Sequence, residues 1–347
     1  MDDVPRQNSL PSRTSILVAA ARAFGSRDPD LGVRNPDFLA DKFIGRDELS
    51  LIGDHPFRKC LEQDYAEASQ NPAIVMFASL LILRTRFIDE ALKRAVENGA
   101  TQIVVLGAGF DSRAYRFRDL LKNCLVIEVD TEYTQAYKKR RVQESLGEIP
   151  PNVRYVGTDF GAGTLGDALA AGGFREGVKS FYICEGVSMY LPETGIREIL
   201  HVVSSRSAAG SSIALDYPTM LGIEIIKQSP QATGVIPASW GESWIFGVPG
   251  TNGDGFFREL GFDPGVPLSM NNPETMKLYA VRSDGSTYAG HVLERMRAEM
   301  QARLRTGAVS SPVIAPELQK AVAAAGGVYW LAELTVLSTP RAVEIAD

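Results

Sequence analysis

Apolar residues change their spacing along the chain near residue 100. Residues 14–24, TSILVAAARAF, place apolar positions at helical intervals, with Ser12 or Thr14 as the cap and Gly25 as the stop. From Asp28 to Gly53 the residues Pro29, Gly32, Pro36 and Gly45 break any period and predict a loop. Helical patterning resumes at about Pro56 and runs, with a break at Asn71-Pro72, to Asn98-Gly99, a pair suited to closing a helix. The first hundred or so residues are thus predicted to be helical and to precede any strand.

Short β-branched runs then take over at 102–106 (QIVVL), 125–129 (LVIEV), 153–156 (VRYV), 180–184 (SFYIC) and 211–215 (SSIAL). They are nearly continuous in apolar character and separated by stretches long enough for crossover helices, which predicts a parallel sheet covered on both faces. Ligands of such sheets bind beyond the carboxyl ends of the strands. From Pro218 to about Gly255 the chain carries Trp240, Trp244 and Phe246 among several glycines and prolines, and reads as a lid insertion. Beyond it, 253–262 reads as a capped helix, 275–281 (TMKLYAV) as a strand, 291–305 and 315–325 as helices, and 328–337 (VYWLAELTVL) as a final strand. No repeat or low-complexity linker divides the chain. One domain is expected: a helical cap over 1–100, a ligand-binding core over 101–217, the lid over 218–255 and the rest of the core over 256–347.

Composition narrows the class. The 347 residues are 45% hydrophobic and 22% charged, enough to bury a core without covalent staples. Cys60, Cys124 and Cys184 are too few and scattered for a disulfide framework, and His55, His201 and His291 have no metal spacing, so no metal is expected. A net charge of −6 argues against a nucleic-acid partner. The apolar run Ala73 to Leu83 is too short to span a bilayer, and MDDVPRQNSLPSR has no signal-peptide character, so a cytoplasmic protein with no membrane partner is expected.

The predicted strand ends carry the candidate chemistry. Gly107-Ala108-Gly109 follows the first strand, where glycine lets the backbone turn tightly and lets a ligand approach. Asp130 ends the second strand about twenty residues on, placed to accept hydrogen bonds from ribose hydroxyls. The same pattern would also suit a glycine turn and a surface acid in an ordinary βα unit. A dinucleotide fingerprint wants a third small residue where this chain has Ser112, which weakens that reading. At the third strand end, Asp159 can accept from an exocyclic amine and Phe160 can stack on a purine. Acid, aromatic and glycine turn together suit an adenosine ligand without pyrophosphate, namely S-adenosylmethionine.

With these residues in place the chain resembles the leucine carboxyl methyltransferase family, including its bacterial O-methyltransferases and polyketide carboxyl methyltransferases. The resemblance rests on SRTSILVAAARAF (12–24), LRTRFIDEAL (83–92), VVLGAGFDSRAYR (104–116), EVD (128–130), TDF (158–160), CEGVSMYLP (184–192) and SWIFGVPG (243–250). It spans residues 12 to 250 and is loose beyond them. It implies a Rossmann-like class I methyltransferase, α/β, with a mostly parallel seven-stranded sheet, helices on both faces, an N-terminal helical cap and a lid. By position it implies that Gly107, Ala108 and Gly109 approach the methionine part of the cofactor, that Asp130 binds the ribose, and that Asp159 reads the adenine amine beside Phe160. Glu185 would lie near the methionyl amino group, with Arg22 and Arg84 on its carboxylate; Arg86 is an alternative to Arg84. Each has a plainer reading: the arginines as solvated charges, Glu185 as a helix cap.

Tyr190, Trp240 and Trp244 are candidate acceptor contacts, although aromatics more often supply core. No obvious histidine base accompanies the strand ends, which favours an acceptor that is already ionised. The expected activity is therefore O-methylation of a small-molecule or peptide carboxylate. A hydroxyl acceptor, with His55 or an acid as base, is the alternative within that chemistry. An NAD-dependent oxidoreductase and a non-catalytic binding protein are the alternatives outside it.

Overall fold

A computed structural model describes residues 10–160, 164–228, 240, 242–270, 272–292, 294, 295, 298 and 316–337. Helix α1 (Arg13–Gly25) begins where Ser12 Oγ accepts from Ser15 N at 3.1 Å, so Ser12 rather than Thr14 is the cap. The 28–53 stretch, expected to be loop, also forms two short helices, α2 (Ala40–Phe43) and α3 (Arg46–Leu51). Helices of one or two turns are too brief to show a period, and the Glu48 carboxylate starts α3 by accepting the Gly45 N–H at 2.7 Å. Then follow α4 (Pro56–Glu62), α5 (Tyr65–Ala68) and the 26-residue α6 (Pro72–Glu97), which starts at the expected break with Asn71 as cap and Pro72 in its first turn.

The strands are β1 (Gln102–Leu106), β2 (Leu125–Asp130), β3 (Val153–Gly157), β4 (Ser180–Cys184) and β5 (Ser212–Pro218). Between and after them lie α7 (Arg113–Arg116), α8 (Glu132–Leu146), α9 (Leu165–Ala171), α10 (Glu193–Arg206) and α11 (Met220–Gln228). The chain continues with α12 (Asp254–Glu259), β6 (Phe262–Asp263), β7 (Leu268–Ser269), α13 (Pro273–Tyr279), α14 (Pro316–Ala325) and β8 (Tyr329–Val336). The sheet path is β3-β2-β1-β4-β5-β8-β6, parallel through β5, with β8 antiparallel to both neighbours. Seven strands lie on this path as expected; the two-residue β7 also pairs with β8.

The segment 275–281, expected as a strand, lies mostly in α13 instead. Its alternation suits a strand, but Asn272 accepts from Glu274 N at 2.9 Å and Pro273 fits the first turn, a start signal that local propensity does not override. Most of the helix expected over 291–305 lies outside the described residues.

Both faces of the sheet are covered, which explains the unbroken apolar strands. All five residues of β1 are buried: Ile103 and Val105 join the cluster containing α1 and α6, while Val104 and Leu106 join the one containing α10. Burying each such side chain stabilises the fold by roughly 1.5–3 kcal/mol. Helix α6 packs against α1, β4, β5 and β8, so the N-terminal helices lie against the central strands. Because β8 runs the other way, its first residue, Tyr329, pairs with Pro218 at the carboxyl end of β5.

Candidate functional site

The carboxyl ends of β1, β2 and β4 open onto a cavity of about 520 Å³ whose walls include α1, the 107–111 turn and the 242–245 segment. Gly107 has φ +64°, and a Cβ built there would stand 2.3 Å from Val187 Cγ2, so both backbone and space demand glycine. Gly109 N donates to Asp130 Oδ2 at 2.7 Å, and Thr131 N to Oδ1 at 2.7 Å. The acid ending β2 thereby holds the glycine turn after β1. Burial raises the Asp130 pKa, and the Gly109 and Thr131 N–H groups act against that rise.

Behind the turn lies a buried ionic network. Glu185, just past β4, accepts from Arg22, from Arg84 Nε at 2.7 Å and from Arg113 Nη1 at 2.7 Å. Arg84 Nη1 also donates to Asp216 at 2.8 Å, and Arg113 pairs with Asp89 at 2.7 Å and with Asp111. Arg116 reaches Asp89 at 2.9 Å and Asp37 at 3.5 Å. Four arginines thus face five carboxylates, none with more than 7% side-chain exposure. Burial opposes the charge on Glu185, but Arg22, Arg113 and Arg84 outweigh it and hold the carboxyl well below its usual value. Arg113 is held well above its ordinary value by Asp111, Glu185 and Asp89, against the opposing effect of burial. Two buried guanidinium nitrogens, Arg22 Nε and Arg113 Nη2, have no hydrogen-bond partner.

Of the residues singled out in the sequence, Arg22, Arg84, Gly107, Ala108, Gly109, Asp130, Phe160, Glu185 and Tyr190 all line this cavity. Asp159 lines an adjoining cavity of about 460 Å³ with Glu132, Tyr133, Gly157 and Thr158; Ser12, Asp130 and Thr131 border both. Arg86 is engaged elsewhere, donating to the carbonyls of Leu31, Gly32, Arg34 and Tyr279 at 2.7–2.9 Å. Trp244 donates through Nε1 to Tyr190 Oη at 3.1 Å and stacks on Tyr329 with centroids 5.4 Å apart. Burial pushes the Tyr190 hydroxyl up to about 12. Trp240 borders a separate small recess and lies against His55, 5.7 Å between centroids.

Sequence reasoning missed Asp111, Arg113, Asp216, Glu242 and Tyr329. The first two sit inside the GAGFDSRAYR block and Asp216 is a strand-end acid, so those three carried a signal. Among the described residues no cluster is placed to hold a metal ion, and no helix is long and apolar enough to cross a membrane.

Residues 15–204 match the family model described as leucine carboxyl methyltransferase. A protein of Streptomyces coelicolor, described as a candidate S-adenosyl-L-methionine-dependent methyltransferase, is 34% identical over 220 residues, 62% of this chain and 69% of that protein. A Bacillus subtilis protein of the same description is 30% identical over 216 residues, 59% and 70% of the respective chains. A crystal structure of a candidate methyltransferase from Thermobifida fusca aligns over 96% of this chain and 97% of its own with a TM-score of 0.51; at 11% identity it is a likeness of fold.

Proposed function

The chain belongs to the leucine carboxyl methyltransferase family of S-adenosylmethionine-dependent methyltransferases, and from that premise we propose that it forms a methyl ester on a carboxylate of a small molecule, natural product or peptide C-terminus. The observation that carries the reading is one continuous wall, from Glu185 and the arginines through the glycine turn to Asp130, Phe160 and Asp159. Its donors and acceptors suit the cofactor's parts. Arg22 and Arg84, both on the cavity wall, would hold the methionyl carboxylate. Glu185 would take the amino group, and the Gly107-Ala108-Gly109 turn, which lines the cavity, would run along the methionine part. Asp130 would accept from the ribose hydroxyls, with Asp159 on the adenine amine and Phe160 beside it. When bound, S-adenosylmethionine supplies an electrophilic methyl group on a sulfonium.

The protein's part is placement and exclusion of water. An acceptor carboxylate with a pKa of about 4 is ionised at neutral pH and needs no base. Consistent with this, the described cavity lining holds carboxylates and hydroxyls but no histidine or lysine. Helix α1 and the 242–245 segment border the cavity at the strand ends, and their closure would let acceptor and methyl group meet in an aligned, water-poor site. Tyr190, on the cavity wall and held from behind by Trp244, would face the acceptor body. One observation favours hydroxyl methylation as a second reading: Glu242 lies on the cavity wall, where it could serve as a base.

The test is mass spectrometry of the protein incubated with labelled cofactor and a panel of carboxylic acids, phenols and peptides. A single added methyl that mild base removes supports the ester; a base-stable methyl on a phenol overturns it in favour of the hydroxyl. Asp130→Ala and Asp159→Ala should each abolish cofactor binding by calorimetry, and unchanged affinity in both would sink the site assignment.

A further inference from the structure

Asp216 lies within β5 with no exposed surface and bonds to several parts of the amino-acid end of the site. Its Oδ2 accepts from Arg84 Nη1 at 2.8 Å and from the Tyr329 hydroxyl, and its Oδ1 accepts the Gly186 N–H at 2.6 Å. Its own carbonyl accepts from Ser188 Oγ at 2.8 Å. Arg84 is therefore gripped by two acids through two different nitrogens, Nε by Glu185 and Nη1 by Asp216, which fixes the plane of the guanidinium. No described hydrogen bond uses Arg84 Nη2, and the side chain lines the cavity, so that nitrogen is left for a ligand. Gly186, next to Glu185, holds φ +67°, and the bond from its N–H to Asp216 keeps that turn in register with Arg84.

We propose that Asp216 is a positioning residue that presents Arg84 and Glu185 to the amino-acid end of the cofactor in one geometry, and that Tyr329 holds Asp216 in place. The inference rests on the cofactor reading above. Tyr329 is the first residue of the antiparallel β8, and its ring stacks on Trp244, so Trp244, the partner of Tyr190, is joined through Tyr329 to Asp216 and Arg84. Without the Asp216 carboxylate, Arg84 would keep Glu185 alone and swing about that one contact.

The experiment compares S-adenosylhomocysteine with 5′-methylthioadenosine, which keeps the nucleoside but lacks the amino-acid group, by calorimetry on the full chain. Asp216→Asn should weaken S-adenosylhomocysteine by about tenfold or more, as loss of a charge-assisted contact predicts, and leave 5′-methylthioadenosine within about twofold. Tyr329→Phe should show the same selectivity at roughly threefold. In turnover assays, KM for the cofactor should rise in both variants while kcat at saturation changes little. Affinity unchanged for both ligands, or lost equally for both, overturns the proposal. If Asp216→Asn does not fold, Tyr329→Phe decides by the same criterion. Failure of the unmodified protein to bind S-adenosylhomocysteine would instead overturn the cofactor reading.

Discussion

Ser12 and Glu242 stand 230 positions apart, yet Ser12 Oγ donates to Glu242 Oε2 at 3.1 Å, and the same carboxylate accepts the N–H groups of Arg13 at 3.0 Å and Thr14 at 3.1 Å. A negative group at the start of α1 meets the unpaired amides and the positive end of the helix dipole, so this one side chain fastens the 242–245 segment to the cap. Glu242→Ala should cost about 1 kcal/mol of stability in urea unfolding and speed amide exchange at residues 12–16. Glu242→Gln, which keeps the acceptor but not the charge, should fall between the two.

Gly107→Ala should lose S-adenosylhomocysteine binding and lower the melting temperature by several degrees, because φ +64° and the contact with Val187 both penalise a Cβ. Adding Val187→Ala removes the contact but not the backbone cost. The double variant should therefore recover only part of the stability, as read by calorimetry.

Arg113→Gln should cost about 3–5 kcal/mol, since it leaves the buried Asp111 without its arginine and takes one arginine each from Asp89 and Glu185. Arg118→Ala is the control: its 2.8 Å pair with Glu148 is 61% exposed on both sides, and its loss should stay within about 0.5 kcal/mol. Equal effects in chemical denaturation would mean that burial does not set the strength of these pairs.

Glu128, buried on β2 and paired with Lys138 at 2.7 Å, has its pKa raised to about 7 by burial, against the pull of Lys138. A carboxyl raised in the folded state holds its proton there after the unfolded chain has released it. Between pH 4.5 and about 7 the folded form thus binds more protons, and this group's contribution to stability falls as pH rises, by up to about 1.4 kcal/mol per pH unit. The stability of the protein relative to Glu128→Gln should accordingly decline from pH 5 to pH 8; a difference that stays flat would contradict the assignment.

The parallel strands were legible because β1, β2 and β4 are buried on both sides and need no polar alternation. The glycine turn and Asp130 were legible because both follow directly from strand ends. What stayed hidden is non-local. Asp37 and Asp89 look like ordinary acids in sequence, and only the packing of α1 and α6 against the sheet brings arginines to them. Residues 275–281 misled because alternation over seven residues suits either element, while the informative residues, Asn272 and Pro273, lay just upstream. Arg84 and Arg86 were indistinguishable by motif; two residues apart on one helix, they face nearly opposite ways, one into the cavity and one onto four backbone carbonyls.

The family match ends at residue 204, but Asp216, Glu242, Trp244 and Tyr329 all come later in the chain. The reversed direction of β8 brings its opening residue, rather than its last, to the working edge of the sheet. The partners that Arg84, Ser12 and Tyr190 find in Asp216, Glu242 and Trp244 therefore come from beyond the matched region. A truncation that spares every family motif but removes β8 would strip Asp216 of the Tyr329 hydroxyl along with the strand's pairing to β5.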